Sequence, residues 1–142
     1  MDVLYTAEAT AWGGREGRAA SSDGHVDVQL VIPKEMGGPG GDGTNPEQLF
    51  ATGYAGCFHS ALKVVARAAK IDVSESAVTV RIGIGANDSG GFGLTAEIVA
   101  EIDGVDRAVA EDLLAQAHQV CPYSNATRGN MDVTLTLYQA EA

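Results

Sequence analysis

A chain of 142 residues, 45% hydrophobic and 20% charged, holds enough apolar material for one domain with its own core. Its 19 acidic against 9 basic residues leave a formal charge of −10, which argues against any partner bound through a phosphate backbone, nucleic acid included. No stretch reaches the ~20 apolar residues of a membrane span, and the first residues carry neither a basic leader nor an apolar run, so one cytoplasmic domain over residues 1–142, with no membrane partner, is expected.

In chain order, the opening stretch from Val3 to Trp12 reads as a strand that Gly13-Gly14 cuts off. Val26, Val28 and Leu30 alternate with polar residues as a short second strand ending before Pro33. A run from Gly37 to Gly43 offers almost nothing to pack and reads as a connection or as the wall of a site. Asn45-Pro46-Glu47-Gln48 then supplies a cap, a first-turn proline, an acid at the positive dipole end and a capping-box spacing, which predicts a helix to about Lys70. That helix is apolar or small on most sides, so it is expected to be buried nearly all round.

Val78, Val80, Ile82 and Ile84 form the next alternating strand, followed by Leu94, Ala96, Ile98, Ala100 and Ile102. A second helix is expected from near Asp106 to about Gln119, with Val109, Ala110, Leu113, Leu114 and Ala117 facing inward, and Pro122 prevents its continuation. Val133, Leu135 and Leu137 mark the last strand. The order β-β-α-β-β-α-β with hairpin-like strand pairs predicts an α+β fold on antiparallel sheet. One small sheet covers one side of the first helix only, so a second copy covering the other side, a homodimer, follows as a physical expectation.

The two cysteines carry the chemical signal. Cys57 lies within the first helix and Cys121 where the second runs out. A lone cysteine in an apolar helix usually serves as a small core residue. Gly53 and Gly56 beside Cys57 point the other way, because a break there would put the thiol near a helix N-terminus and lower its pKa. In a reducing cytosol two isolated cysteines suit catalysis, redox sensing or metal binding better than a structural disulfide.

A reactive thiol also needs a cation, and Arg15, between Gly13-Gly14 and Gly17, is the most suggestive; Glu47 would fix its direction through two parallel hydrogen bonds. Ten residues on an unbroken helix is ~15 Å of rise. Either the helix breaks near Gly53 or Gly56, then, or Glu47 acts on the site of a second subunit. Zinc on Cys57, His59, His118 and Cys121 is disfavoured, since positions two apart on a helix point about 200° apart, and no metal is expected. Dinucleotide, phosphate-loop and Cys-x-x-Cys patterns are absent.

Taken together, Gly-Gly-Pro-Gly-Gly-x-Gly-Thr-Asn-Pro-Glu-Gln-Leu-Phe (37–50), Gly-Tyr-Ala-Gly-Cys-Phe (53–58) and His-x-Val-Cys-Pro-Tyr-Ser-Asn-Ala-Thr-Arg-Gly-Asn (118–130) resemble the Ohr branch of the OsmC/Ohr family. Gly-Gly-Arg-Glu-Gly-Arg (13–18), Ser-Ser-Asp (21–23) and Gly-Gly-Phe-Gly-Leu (90–94) match in order, so the likeness spans nearly the whole chain. It implies an intertwined homodimer with antiparallel sheets around central helices and a site at the subunit interface. It implies a cofactor-free thiol peroxidase acting on alkyl and fatty-acid hydroperoxides and recycled by dihydrolipoyl proteins. By motif, Cys57 is the peroxidatic cysteine, Cys121 the resolving cysteine, Arg15 the thiolate-stabilising group and Glu47 its partner. Thr52 and Gly56 stand where alanine is frequent in the family, and His59 lies outside its pattern. An apolar entrance formed by Phe50, Phe58, Phe92 and Tyr123 is a further expectation. The competing reading is a non-catalytic dimer that holds an apolar ligand or senses redox state.

Overall fold

The computed structural model describes residues 1–140. Two compact units are present, one over Met1–Leu49 and a second that starts at Phe50.

In the first unit, β1 (Ala9–Trp12), β2 (Arg18–Ser21) and β3 (Asp27–Gln29) form an antiparallel sheet in that order. The expected strand from Val3 is shorter than its pattern suggested. The β1–β2 ladder ends at Ala9↔Ser21; the Ser22 N–H still donates to the Glu8 carbonyl at 2.9 Å, and the chain then turns at Gly24, so the strand does not extend back to Val3. A 3-10 turn at Gly14–Glu16 joins β1 to β2. Gly13 and Gly14 adopt φ of 83° and 58°, and a Cβ on Gly17 would lie 1.7 Å from the Trp12 carbonyl oxygen, so three glycines set the path of the chain around Arg15.

Helix α1 (Pro46–Ala68) begins as its sequence predicts. Asn45 Oδ1 accepts the Gln48 backbone N–H at 2.8 Å, and Pro46 occupies the first helical position, where no N–H is needed. The helix closes with Lys70 at φ 59° and the Ile71 N–H on the Ala66 carbonyl, a left-handed turn that glycine usually supplies.

In the second unit, β4 (Ser76–Ala86), β5 (Phe92–Ile102) and β6 (Val133–Tyr138) form one sheet in that order. Register places Val80 opposite Ile98 and Val78 opposite Ala100, so the alternating residues share one face. Ala96, Ile98, Ala100 and Ile102 are all buried there, as the period of two required. The expectation of antiparallel sheet holds for β4–β5 and fails for β5–β6, which pair parallel. Helices α2 (Arg107–Val120) and α3 (Pro122–Thr127) lie between those two strands in sequence, and a crossover of that length returns the chain in the same direction.

The core of this unit joins Tyr54, Phe58, Leu62 and Val65 of α1 to Ile98 and Ile102 of β5 and to Leu113, Leu114 and Ala117 of α2. Burying a side chain of the Leu or Phe class contributes about 1.5–3 kcal/mol each before entropy is charged. α1 is not buried all round: Val64 keeps 59% of its surface, and Lys63 and Arg67 are exposed. A three-stranded sheet with two helices covers one stripe of a helix, and the opposite stripe stays open. Val109, expected to face the core, is 37% exposed for the same reason on α2.

Candidate functional site

Cys57 sits near the middle of α1, flanked by Phe58 in the core and Gly56 toward open space. Gly53 and Gly56 do not break α1, so the first of the two alternatives, a helix interruption there, does not occur. Gly53 has another reason to be glycine: a Cβ there would stand 2.7 Å from the Tyr123 hydroxyl. The small residue lets the Tyr123 ring approach the helix, one turn before Cys57.

Cys121 is the C-cap of α2 and the N-cap of α3, fully buried. Its N–H donates to the Ala117 carbonyl at 2.8 Å, ending α2, and its carbonyl accepts the Asn125 N–H at 2.9 Å, starting α3. Pro122 both blocks continuation of α2 and opens α3, since a first-turn residue needs no N–H. The short helix was not foreseen. This tight corner presents the Cys121 thiol to α1, where it donates to Cys57 Sγ across 3.6 Å.

Both cysteines are free thiols. A disulfide requires sulfurs at about 2.05 Å, so an approach of roughly 1.5 Å joins them. Although sixty-four positions separate them in sequence, the fold leaves them in contact.

The electrostatics of this corner run against a resting thiolate. Burial pushes the Cys57 thiol up from its ordinary value, and the hydrogen bond and charge of Cys121 push it further up. The Tyr123 backbone N–H, from the first turn of α3, works the other way without reversing the direction. The helix-terminal amide that a break in α1 would have provided comes instead from α3.

A polar network that the sequence did not disclose holds the corner in place. Tyr54 Oη lies 2.8 Å from Ser124 Oγ and 3.2 Å from Thr127 Oγ1, and His118 Nδ1 lies 2.8 Å from Ser124 Oγ. Thr127 donates its hydroxyl to the Ser124 carbonyl, and Arg128 donates to the His118 carbonyl at the end of α2. Among the described residues no buried side-chain polar atom lacks a partner. The available signal was Tyr54 itself, a tyrosine in an apolar helix, whose hydroxyl needs a partner once buried.

The aromatic residues divide. Phe50 and Tyr123 meet edge to face with centroids 5.8 Å apart, and Tyr54 stacks obliquely on Tyr123 at 5.6 Å. Phe58 is wholly in the core, while Phe92 opens β5 with 73% of its surface exposed.

In the first unit, Arg15 and Glu47 form the bidentate pair that their residue types suggested, Nη1 to Oε2 at 2.9 Å and Nη2 to Oε1 at 2.5 Å. The side chain of Glu47 is 13% exposed and that of Arg15 33%. The guanidinium's hydrogen bonds hold the Glu47 carboxyl below the usual carboxylate range, and the same bonds raise Arg15 further.

Two of the three histidines turn to hydroxyls, and His25 lies beside Asp23 at 3.1 Å. His59 Nε2 bonds Ser76 Oγ at 2.9 Å, as His118 does Ser124, and among the described residues no three His, Cys, Asp or Glu side chains gather as a metal site. Nor is any described helix long and apolar enough to cross a membrane.

The family model described as OsmC-like protein matches residues 38–136. An organic hydroperoxide resistance protein of Xanthomonas axonopodis pv. citri is 58% identical over 136 residues, 95% of each chain. The crystal structure of an organic hydroperoxide resistance protein from Elizabethkingia anophelis superposes with a TM-score of 0.94 at 51% identity, covering 99% of this chain and 100% of that one. A second, from Legionella pneumophila, gives 0.92 at 47% identity over 96% and 98%.

Proposed function

Because the chain belongs to the OsmC/Ohr family, in its organic hydroperoxide resistance branch, we propose that it is a cysteine-based peroxidase that detoxifies organic hydroperoxides. The observation that carries this reading is the 3.6 Å contact between the Cys57 and Cys121 sulfurs.

The Cys57 thiolate attacks the distal oxygen of ROOH, the O–O bond breaks, and the alkoxide leaves as alcohol on taking a proton. The sulfenic acid on Cys57 then condenses with the Cys121 thiol: an S–S bond forms, the S–O bond breaks, and water departs. Contact between the sulfurs favours that condensation over further oxidation of Cys57. A dithiol of the dihydrolipoyl type reduces the disulfide, becomes a disulfide itself and returns both thiols.

Burial holds the Cys57 proton in place in the chain by itself, so turnover needs a cation at the sulfur. Arg15 is that cation. Its bidentate partner Glu47 fixes the fork, and the guanidinium stabilises the negative charge on sulfur and then on the departing oxygen. An unbroken α1 supports the route through a second copy, in which the Arg15–Glu47 pair of one protomer serves Cys57 of its partner in a homodimer. Phe50 and Tyr123, in edge-to-face contact, form part of an apolar entrance that favours alkyl and fatty-acid hydroperoxides, with Phe58 behind it and Phe92 at its rim.

The test is a thiol count. One equivalent of an alkyl hydroperoxide added to the reduced protein removes two thiols per chain within seconds and leaves an intrachain disulfide, whereas Cys57→Ser loses neither. Slow loss of a single thiol, or equal loss in the variant, rules the reading out.

A further inference from the structure

The corner that carries Cys121 is closed in two ways. Pro122 has no N–H to give the His118 carbonyl four residues earlier, and Arg128 donates to that oxygen in its place. The same guanidinium holds Asn125 Oδ1 at 2.7 Å, so it ties the end of α2 to α3. The second closure runs through side chains. His118, three residues before Cys121, meets Ser124, three residues after it, at 2.8 Å. Cys121 stands at the apex between them.

The hydroxyls beyond Ser124 fix the direction of this contact, because each has one proton to give. Thr127 gives its proton to the Ser124 carbonyl, so toward Tyr54 it accepts. Tyr54 then donates to Thr127 and accepts from Ser124. With its proton on Tyr54, Ser124 accepts from His118, and the imidazole carries its hydrogen on Nδ1. One run of donors therefore leads from His118 through Ser124 to Tyr54, which lies three residues before Cys57 on α1. Tyr54 and Ser124 are wholly buried, so loss of the first donor leaves a buried oxygen unpaired. Burial, and after it the positive charge of Arg128, lowers the His118 pKa and favours the neutral ring.

We infer, resting on the peroxidase reading above, that His118 is a positioning residue for the step that joins the two sulfurs: through Ser124 and Tyr54 it holds the Cys121 thiol against Cys57. Once Cys57 is a sulfenic acid, two reactions compete for it. The Cys121 thiol attacks the Cys57 sulfur, the S–O bond breaks, and water leaves as the disulfide forms. A second ROOH instead transfers its distal oxygen to that sulfur, giving the sulfinic acid and ROH. Only the first depends on where Cys121 stands, so a slack corner shows itself as overoxidation.

The reduced full chain is exposed to graded tert-butyl hydroperoxide, and mass spectrometry reads the ratio of Cys57 sulfinic acid to Cys57–Cys121 disulfide. In His118→Phe, which fills the space of the ring without a donor, the ratio is expected to rise about tenfold. His118→Asn, whose amide nitrogen stands near the place of Nδ1, should return it close to the parent value. An equal ratio in His118→Phe and the parent, or no return in His118→Asn, overturns the role. If His118 serves only the stability of the fold, His118→Phe lowers the melting temperature and leaves the ratio at the parent value, which overturns it as well. A parent that keeps both thiols fails at the peroxidase reading itself and takes with it the step that His118 would serve. Should the variants fold poorly, nitrogen-15 NMR of the parent imidazole still decides: hydrogen on Nδ1 is expected, and a ring with hydrogen on Nε2 alone overturns the donor run.

Discussion

The thiol corner of the second unit and the Arg15–Glu47 pair of the first are opposite solutions to the burial of polar groups. At the corner, burial acts on a neutral acid whose sulfur neighbour, Cys121, adds to the effect, and the Cys57 thiol is pushed up from its ordinary value. In the pair, two charges satisfy each other through parallel hydrogen bonds, and Glu47 stays ionised below the usual carboxylate range. Each is stable at rest for that reason. Neither is reactive alone: the corner supplies sulfur without charge, the pair supplies charge without sulfur, and the proposed activity requires both.

Replacing Arg15 by alanine tests that division most severely. Turnover of an alkyl hydroperoxide should fall by about 10²–10³-fold, the scale for losing one preorganised electrostatic donor. Cys57 would then keep its raised pKa, so the variant's residual rate climbs as pH passes the ordinary thiol value of ~8.5, while the parent rate levels off at lower pH. Stopped-flow rates across pH decide the matter, and identical profiles for the two proteins would remove Arg15 from the mechanism.

A smaller change comes from Glu47→Gln, which keeps the shape of the pair and removes its charge. A rate loss of about tenfold is expected, from a guanidinium less firmly directed. The acid side has a definite sign. Glu47 has its carboxyl lowered in the fold, so its contribution to stability is complete above the unfolded value of ~4.3 and fades as pH falls through the lower folded value. Carboxyl NMR should find Glu47 titrating below its neighbours in the parent and returning upward in Arg15→Ala.

Tyr54→Phe strips one hydroxyl from the network that holds α3. Unfolding in urea should show a loss of about 1–2 kcal/mol, because Ser124 and Thr127 lose a buried partner. Disulfide formation at the loosened corner should slow as well, whereas the acid behaviour of Glu47 should not move. The mildest case is Gly53→Ala. Its Cβ displaces the Tyr123 ring, and the helix propensity gained offsets the packing lost, so stability changes by less than about 1 kcal/mol. Condensation of the two thiols should nonetheless slow severalfold, read by quenched-flow alkylation; an unchanged rate would show that Tyr123 has no part in placing α3.

Much of this was legible in the chain. Asn45-Pro46 announced the start of α1 because capping and first-turn proline are local rules. Alternation over 94–102 announced the buried face of β5 because side chains on a strand point to alternate sides. What the glycines do was harder to read. Gly53 resembled a helix breaker and proved to be space for an aromatic ring seventy positions away, which no local rule reports. The parallel pairing of β6, the short helix α3 that Pro122 opens and the Tyr54–Ser124–His118 network share that character.

From the order of residues alone came the elements, their apolar faces, the two isolated thiols and, through motif, the family. Those depend on short-range periodicity and on residue type, and both are written along the chain. The tertiary structure alone decided that the two sulfurs touch, that burial pushes the Cys57 thiol up from its ordinary value, and that Arg15 meets Glu47 through both ends of its fork. Distance and desolvation belong to neighbours in space, and a sequence lists only neighbours along the backbone.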